Sequence, residues 1–260
     1  FKSKNKLSSI KNKKLISLNL KLEKLISISE PYLGKSLGSG EDILVILFTS
    51  GTTGYPKGAK ISHRAFIYRA LYFVFEYNID KKDTFPAWAP MFHMASTDLS
   101  IGSLLIGGSV AIIDGFNPKV LISLIKKYKL SWLVLMPGML EEFIRFIDGK
   151  KIQVNGIKVM GAMADLIPKN QIKKITSLLN TPYLNSFGST ETGMPPASKG
   201  IIEKNKNNFS LSKVQSSFCE VKLVHNNKEV AYEKPGECAV RGPTLFSGYW
   251  NAEETNLKDF

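Results

Sequence analysis

Ten consecutive residues gather the groups that bind phosphate: Thr49-Ser50-Gly51-Thr52-Thr53-Gly54-Tyr55-Pro56-Lys57-Gly58. Glycine lets a backbone approach an anion closely and turn its N–H groups toward it. The hydroxyls of Thr49, Ser50, Thr52 and Thr53 add donors, and Lys57 adds a full positive charge. Together they suit the β- and γ-phosphates of a nucleotide. The segment is not the Gly-x-x-x-x-Gly-Lys-Ser/Thr loop, because Pro56 precedes the lysine and Gly58 follows it. By composition alone it fits a flexible connection between strand and helix equally well. Other chemistries have less to stand on. His63, His93 and His225 lie far apart and make no metal-ligand motif. Cys219 and Cys238 form no Cys-x-x-Cys pair, which argues against a structural zinc or a disulfide framework and fits a reducing cytosol.

The elements around these residues alternate. Ile43–Phe48 is an apolar run of strand length, as expected for a strand buried on both faces, and 49–58 follows as loop. Ser62 to Tyr77 reads as a helix with Ser62 as N-cap. Strands are expected within Gly107–Asp114 and over Trp132–Met136, Ile157–Met160 and Tyr183–Phe187. Helices are expected over Pro118–Lys129, Met139–Ile147 and Pro168–Leu179. Such alternation predicts an α/β fold, parallel β-sheet layers with flanking helices and right-handed crossovers. The pattern changes near Gly193. Cys219–Val224 and Glu237–Arg241 alternate on either side of turn residues His225–Lys228, a hairpin in a β-rich lobe, with Glu237 and Arg241 as a candidate structural pair. The expected organisation is a peripheral segment 1–40, an α/β core 41–195 and a β-rich portion 196–260.

The chain has 260 residues and a formal net charge of +13. Its lysines come in scattered pairs without interleaved aromatic platforms, so they read as a solvated surface and not as a nucleic-acid face. No apolar run reaches the roughly 18 residues of a spanning helix. Phe1–Lys24 is basic throughout, without the uninterrupted apolar core of a secretory signal. The expected location is cytoplasmic.

The string TSGTTGYPKG resembles, without a mismatch, the phosphate-loop signature of the adenylate-forming (AMP-binding) superfamily, which contains acyl-CoA synthetases, amino-acid adenylation domains and beetle luciferases. Three further segments are similar to the family's and stand in its order. They are Pro90-Met91-Phe92-His93, Asn185-Ser186-Phe187-Gly188-Ser189-Thr190-Glu191, and Gly236–Pro243 continuing to Gly248-Tyr249-Trp250-Asn251. The resemblance runs from about Glu41 to the end. It implies that Thr49–Gly54 and Lys57 hold phosphates, that Thr190 bonds the α-phosphate and that Glu191 holds Mg²⁺. Phe187, where the family has tyrosine, would lie against the adenine beside Gly188. Gly161, Ala162 and Met163 stand where the family lines its acyl and adenine sites. His93 and Met94 would border the acyl pocket.

The implied reaction uses ATP to activate a carboxylic acid as an acyl-adenylate, and CoA then takes the acyl group. An enzyme that passes the acyl group to a carrier-protein thiol would look the same at these residues, while a non-catalytic nucleotide-binding relative is the further alternative, against which the intact Lys57, Thr190 and Glu191 argue. His93 follows the aromatic where amino-acid adenylation domains carry an aspartate, so the acyl chain is expected to be uncharged. A fatty acid leads and an aromatic acid such as a cinnamate is next; a lipid substrate would also allow peripheral membrane association. The family's ribose-binding aspartate and its small C-terminal domain are expected beyond Phe260, so the 260-residue chain alone is expected to be nearly inactive.

Overall fold

The structure, a computed structural model, describes residues 20–31, 33–35, 38–49, 55–226, 228–231 and 234–259. It divides into two units, Phe1–Gly38 and Ser39–Phe260. In the first, Leu20–Ile28 forms helix α1. The second holds everything else.

Ile43–Phe48 is strand β1, as its β-branched and apolar residues predict, but it is not buried on both faces. It pairs antiparallel with β2 (Gly58–Ser62) in a sheet of only these two strands. Leu47 is buried while Phe48 is 67% exposed. Reading an apolar run as doubly buried presumes a covering layer on each side, and among the described residues only one side has it. There Leu47, Ala59, Ile61, Ala65, Phe66 and Tyr249 form a small second core. Strand β2 lay hidden in the sequence because glycine, alanine and lysine carry little strand propensity.

Helix α2 (His63–Tyr77) starts where expected. Ser62 accepts a bond from the Ala65 N–H, and Asn78, in a left-handed conformation, ends it. Phe66, Arg69, Ala70, Phe73 and Tyr77 repeat at helical spacing and are buried. The chain then enters a six-stranded sheet. In chain order its elements are β3 (Thr84–Ala87), α3 (Met94–Leu105), β4 (Ser109–Ile112), α4 (Pro118–Lys127), β5 (Leu130–Leu133), α5 (Met139–Ile147), β6 (Ile157–Met160), α6 (Lys169–Leu179) and β7 (Tyr183–Leu184). Phe187–Ser189 (β8) pairs with Gly193–Ala197 (β9), and Ile201–Ile202 (β10) returns to the large sheet. Its order is β10-β7-β6-β5-β3-β4, with every pairing parallel except β10 against β7. The expected strand over Tyr183–Phe187 is thus two strands in two sheets.

Strand β3 and helix α3 escaped the sequence reading. Met94–Leu105 buries Ser96, Thr97, Asp98, Ser100, Gly102 and Ser103 with Leu99 as the one large apolar side chain among them, so no apolar stripe marks it. These small side chains let it approach α2. A β-carbon on Gly102 would stand 3.1 Å from the Phe73 ring.

The β-rich portion is three-stranded: β11 (Glu220–His225), β12 (Lys228–Glu229) and β13 (Glu237–Arg241), in the order β12-β11-β13. Arg241 pairs with Glu220 on the facing strand at 2.5 Å and not with Glu237, because antiparallel register sets Arg241 opposite Glu220. A last helix, α7, spans Glu253–Asp259. Among the described residues no helix is long and apolar enough to cross a membrane.

Candidate functional site

In the large sheet the chain moves from β3 outward to β4, then doubles back past β3 to β5 and on to β6 and β7. A reversal of this kind opens a crevice beyond the carboxyl ends of the strands. A cavity of about 1260 Å³ lies there. Segments after four of the parallel strands line it: Phe92 and His93 after β3, Val134 and Met136 after β5, Ala162 and Met163 after β6, and Ser186 after β7.

The cavity lining is of two chemistries. Thr49, Lys57, Thr190, Glu191 and Tyr249 make one polar side. Thr49 and Lys57 close the base of the phosphate-loop string on each other. The Thr49 N–H donates to the Lys57 carbonyl at 2.9 Å, and the Lys57 N–H to the Thr49 hydroxyl at 3.2 Å. Ser50, Gly51, Thr52, Thr53 and Gly54 lie outside the described residues. The Lys57 ammonium stands 5.1 Å from the centre of the Tyr249 ring, and the Tyr249 hydroxyl donates to Glu191 Oε1 at 2.7 Å. Tyr249 reaches this point because its segment docks on β2: Lys60 donates to the Gly248 carbonyl and Trp250 to the Gly58 carbonyl. The buried side chains of Tyr72, Phe73, Leu99 and Trp132 add a largely apolar part of the lining.

The remaining expected site residues fall in different places. His93, Met94, Ala162, Met163, Gly188, Thr190 and Glu191 all line the cavity. His93 caps α3, its Nδ1 accepting from the Ala95 N–H at 3.1 Å. Phe187 is half exposed and is not among the lining residues, and neither is Gly161. Gly161, at φ +73°, has the Tyr183 ring beside it where a side chain would go, and its carbonyl accepts from the Trp132 indole at 2.8 Å. Its smallness serves core packing.

Two cations organise the site that sequence reasoning did not single out. Arg69 is fully buried on α2. It gives Nη1 to Asp98 Oδ2 at 2.9 Å, Nη2 to the Thr190 and Glu191 carbonyls at 3.1 and 3.2 Å, and Nε to the Thr244 carbonyl at 2.9 Å. One side chain thereby joins α3, the Thr-Glu turn and the loop leading to Tyr249. Burial pushes the Asp98 carboxyl above its usual range, against the opposing pull of Arg69. Lys213 holds the other half of the same motif. Its ammonium bonds Asn185 Oδ1 at 2.7 Å, the Ser186 carbonyl at 2.9 Å and the Asp165 carboxylate. Arg69 could have been suspected as a lone charge on an otherwise apolar helical stripe. Lys213, in a lysine-rich chain, carried no such signal.

Among the described residues no group of three or more His, Cys, Asp or Glu could hold a metal alone. Glu191 presents one carboxylate at the polar side. That donor set suits a hard cation such as Mg²⁺, which takes one or two carboxylates and completes its shell with phosphates and water.

A family model described as AMP-binding enzyme matches residues 5–250. The chain is 26% identical to 4-coumarate–CoA ligase 4 of Arabidopsis thaliana over 90% of its own length and 43% of the relative's. It is 25% identical to indoleacetate–CoA ligase of Aromatoleum aromaticum, over 83% of its length and 43% of the relative's. Its fold superposes with a TM-score of 0.72 on O-succinylbenzoate coenzyme A synthetase from Bacillus subtilis, solved with ATP and magnesium ion. The identity there is 20%, covering 85% of this chain and 46% of that one. The chain thus spans less than half the length of each of these three relatives.

Proposed function

Because the chain belongs to the AMP-binding enzyme family, we propose that the protein carrying it activates a carboxylic acid with ATP and passes the acyl group to the thiol of CoA. One observation carries the reading: a single cavity is lined both by Lys57, Thr190 and Glu191 and by the apolar side chains of Phe73, Leu99 and Trp132. Phosphates fit the first, the body of an acid fits the second, and their junction is where carboxylate and α-phosphorus meet.

In the first half-reaction a carboxylate oxygen attacks the α-phosphorus, forming the acyl-phosphate bond as the bond to pyrophosphate breaks. In the second, the thiol sulfur attacks the acyl carbon and AMP leaves. No side chain needs to act as nucleophile. The work of this chain is to orient and to offset charge. Lys57 balances phosphate charge, Thr190 donates to the α-phosphate, and Glu191 holds Mg²⁺ with Tyr249 fixing its carboxylate. When bound, Mg²⁺ supplies positive charge against the departing pyrophosphate. Arg69, by binding two successive carbonyls, sets the Thr190–Glu191 turn to do this.

The names of the relatives support an aryl acid and lend no support to a fatty acid. Apolar and aromatic walls such as Trp132 and Phe73 accept either. The test is incubation of the whole protein with ATP, Mg²⁺, CoA and a panel of aryl, fatty and amino acids, with products read by mass. Acyl-CoA with AMP is expected. Acyl-adenylate without thioester would point to a carrier-protein acceptor instead, and no product from any acid would sink the proposal.

A further inference from the structure

Between β10 and β11 the chain from 203 to 219 carries neither helix nor strand. A stretch of that length without regular structure, inside a compact domain, usually serves function. Its neighbours hold it in place: Asn185 Nδ2 donates to the Leu211 carbonyl at 2.7 Å, and the Ser216 N–H to the Pro196 carbonyl at 2.8 Å. From it Lys213 reaches back, and each of its three ammonium protons has an acceptor: the Asp165 carboxylate, Asn185 Oδ1 at 2.7 Å and the Ser186 carbonyl at 2.9 Å. Asp165 sits in the short turn that follows β6, and Asn185 and Ser186 follow β7. One cation thereby ties together the segments that leave two paired parallel strands. The Thr190–Glu191 turn is held separately, by Arg69.

Both tied segments line the cavity, through Met163 and Ser186. Met163 adopts a left-handed conformation, φ +46° and ψ +56°. A long side chain rarely stays there unless its surroundings hold it. The direct bond between the two segments, from the Met163 N–H to the Ser186 hydroxyl, is long at 3.4 Å. The charge-assisted bonds of Lys213 are the stronger tie. The proposed function gives Lys57, Thr190 and Glu191 to phosphates and Phe73, Leu99 and Trp132 to the acid. The nucleoside of ATP is then the part still to be placed, and Met163, Ser186 and Gly188 are lining still unassigned. Gly188 leads along β8 to Thr190, so a nucleoside joined to an α-phosphate at Thr190 runs back toward Ser186.

Resting on that reading of the cavity, we infer that Lys213 is a positioning residue. With Asp165 it clips the Met163 turn to the Ser186 segment and fixes the width of the slot that receives the base. The clip governs affinity and selectivity for ATP, and the Arg69-held turn governs the chemical step.

The experiment uses the whole protein and two variants, Lys213→Met and Asp165→Asn. Kd for ATP and for CTP, which carries the same phosphates on a smaller base, is read by equilibrium dialysis without acid or CoA. KM for ATP and kcat are read with acid and CoA. Lys213→Met should weaken ATP binding and raise KM by roughly tenfold, the size of one charge-assisted hydrogen bond. At saturating ATP its kcat should stay within about twofold, the pattern of lost uniform binding. The preference for ATP over CTP should fall toward one. Asp165→Asn leaves two of the three ties and should give a smaller loss in the same direction. If Lys213→Met does not fold, Asp165→Asn decides alone, because that side chain is 44% exposed and its loss spares the core. A fall in kcat with Kd unchanged, or a preference for ATP over CTP that is absent in the native protein or survives in the folded variants, overturns the clip and leaves the ligase reading standing. Weakened ATP binding with lost base preference, but no turnover of any acid by the native protein, upholds the clip and overturns the ligase reading. No binding of ATP by the native protein overturns both.

Discussion

Arg69→Met separates the charge balance of the buried pair from its hydrogen bonds. In the native protein burial already holds the Asp98 carboxyl above its ordinary range, and the charge and hydrogen bond of Arg69 oppose that rise. Without Arg69 the buried carboxyl takes up a proton on folding instead of staying charged. At pH 7, holding a proton that the unfolded chain releases near 3.9 costs at most about 4 kcal/mol. Between those two values the folded state binds more protons than the unfolded one, so stability falls as pH rises. Lowering the pH from 7 to 5 therefore returns about 2.7 kcal/mol of that loss. The Thr190, Glu191 and Thr244 carbonyls lose their donor at either pH, a further loss of about 1 kcal/mol or more each. Urea denaturation of the native chain, Arg69→Met, Asp98→Asn and the double variant, at pH 5 and pH 7, measures every quantity. Asp98→Asn alone should destabilise by about 3–5 kcal/mol, since it leaves a buried cation without its counter-charge. Placed on Arg69→Met, the same substitution should stabilise at pH 7 and remove the pH dependence. An Arg69→Met deficit equal at both pH values, or an Asp98→Asn effect of the same sign in both backgrounds, would refute the reasoning.

Three other perturbations follow from the geometry. Glu191→Gln keeps an acceptor for the Tyr249 hydroxyl but removes the carboxylate charge; adenylation by the whole protein should drop by about 100-fold with little change in melting temperature, and an undiminished Mg²⁺-dependent rate would dismiss Glu191 as metal ligand. Gly161→Ala sets a β-carbon 2.0 Å from Tyr183 Cζ at a φ of +73°, so a loss of about 3 kcal/mol or more is expected; a melting temperature within about 2 °C of the native chain would contradict it. Burial raises the phenols of Tyr72, Tyr77 and Tyr183 above the ordinary value of 10.0. The folded chain keeps protons that the unfolded chain loses there, so stability should fall as pH climbs past that value. Tyr77→Phe should reduce the slope by about 1.4 kcal/mol per pH unit in urea titrations, and an unchanged slope would count against the assignment.

The sequence by itself determined the α/β class, the N-cap at Ser62 and the string of residues that names the family. These are local properties: periodicity, capping and a motif whose spacing is fixed along the chain. Lys57, Thr190 and Glu191 could be picked out as candidates, but their meeting around one cavity with Tyr249 needed the crossover of the sheet and the docking of 248–250 on β2. Helix α3 stayed invisible because its buried face, Leu99 apart, is made of serine, threonine, aspartate and glycine, whose partners come from α2 and from the β3–α3 connection. The exposure of β1 stayed invisible too, because an apolar run says which residues resist water and not how many layers cover them. Above all, Arg69 and Asp98 lie 29 residues apart in the chain, and Arg69 lies 121 and 122 residues from the carbonyls of Thr190 and Glu191. Pairing of a buried charge is a property of distance in space, and only the folded chain decides it.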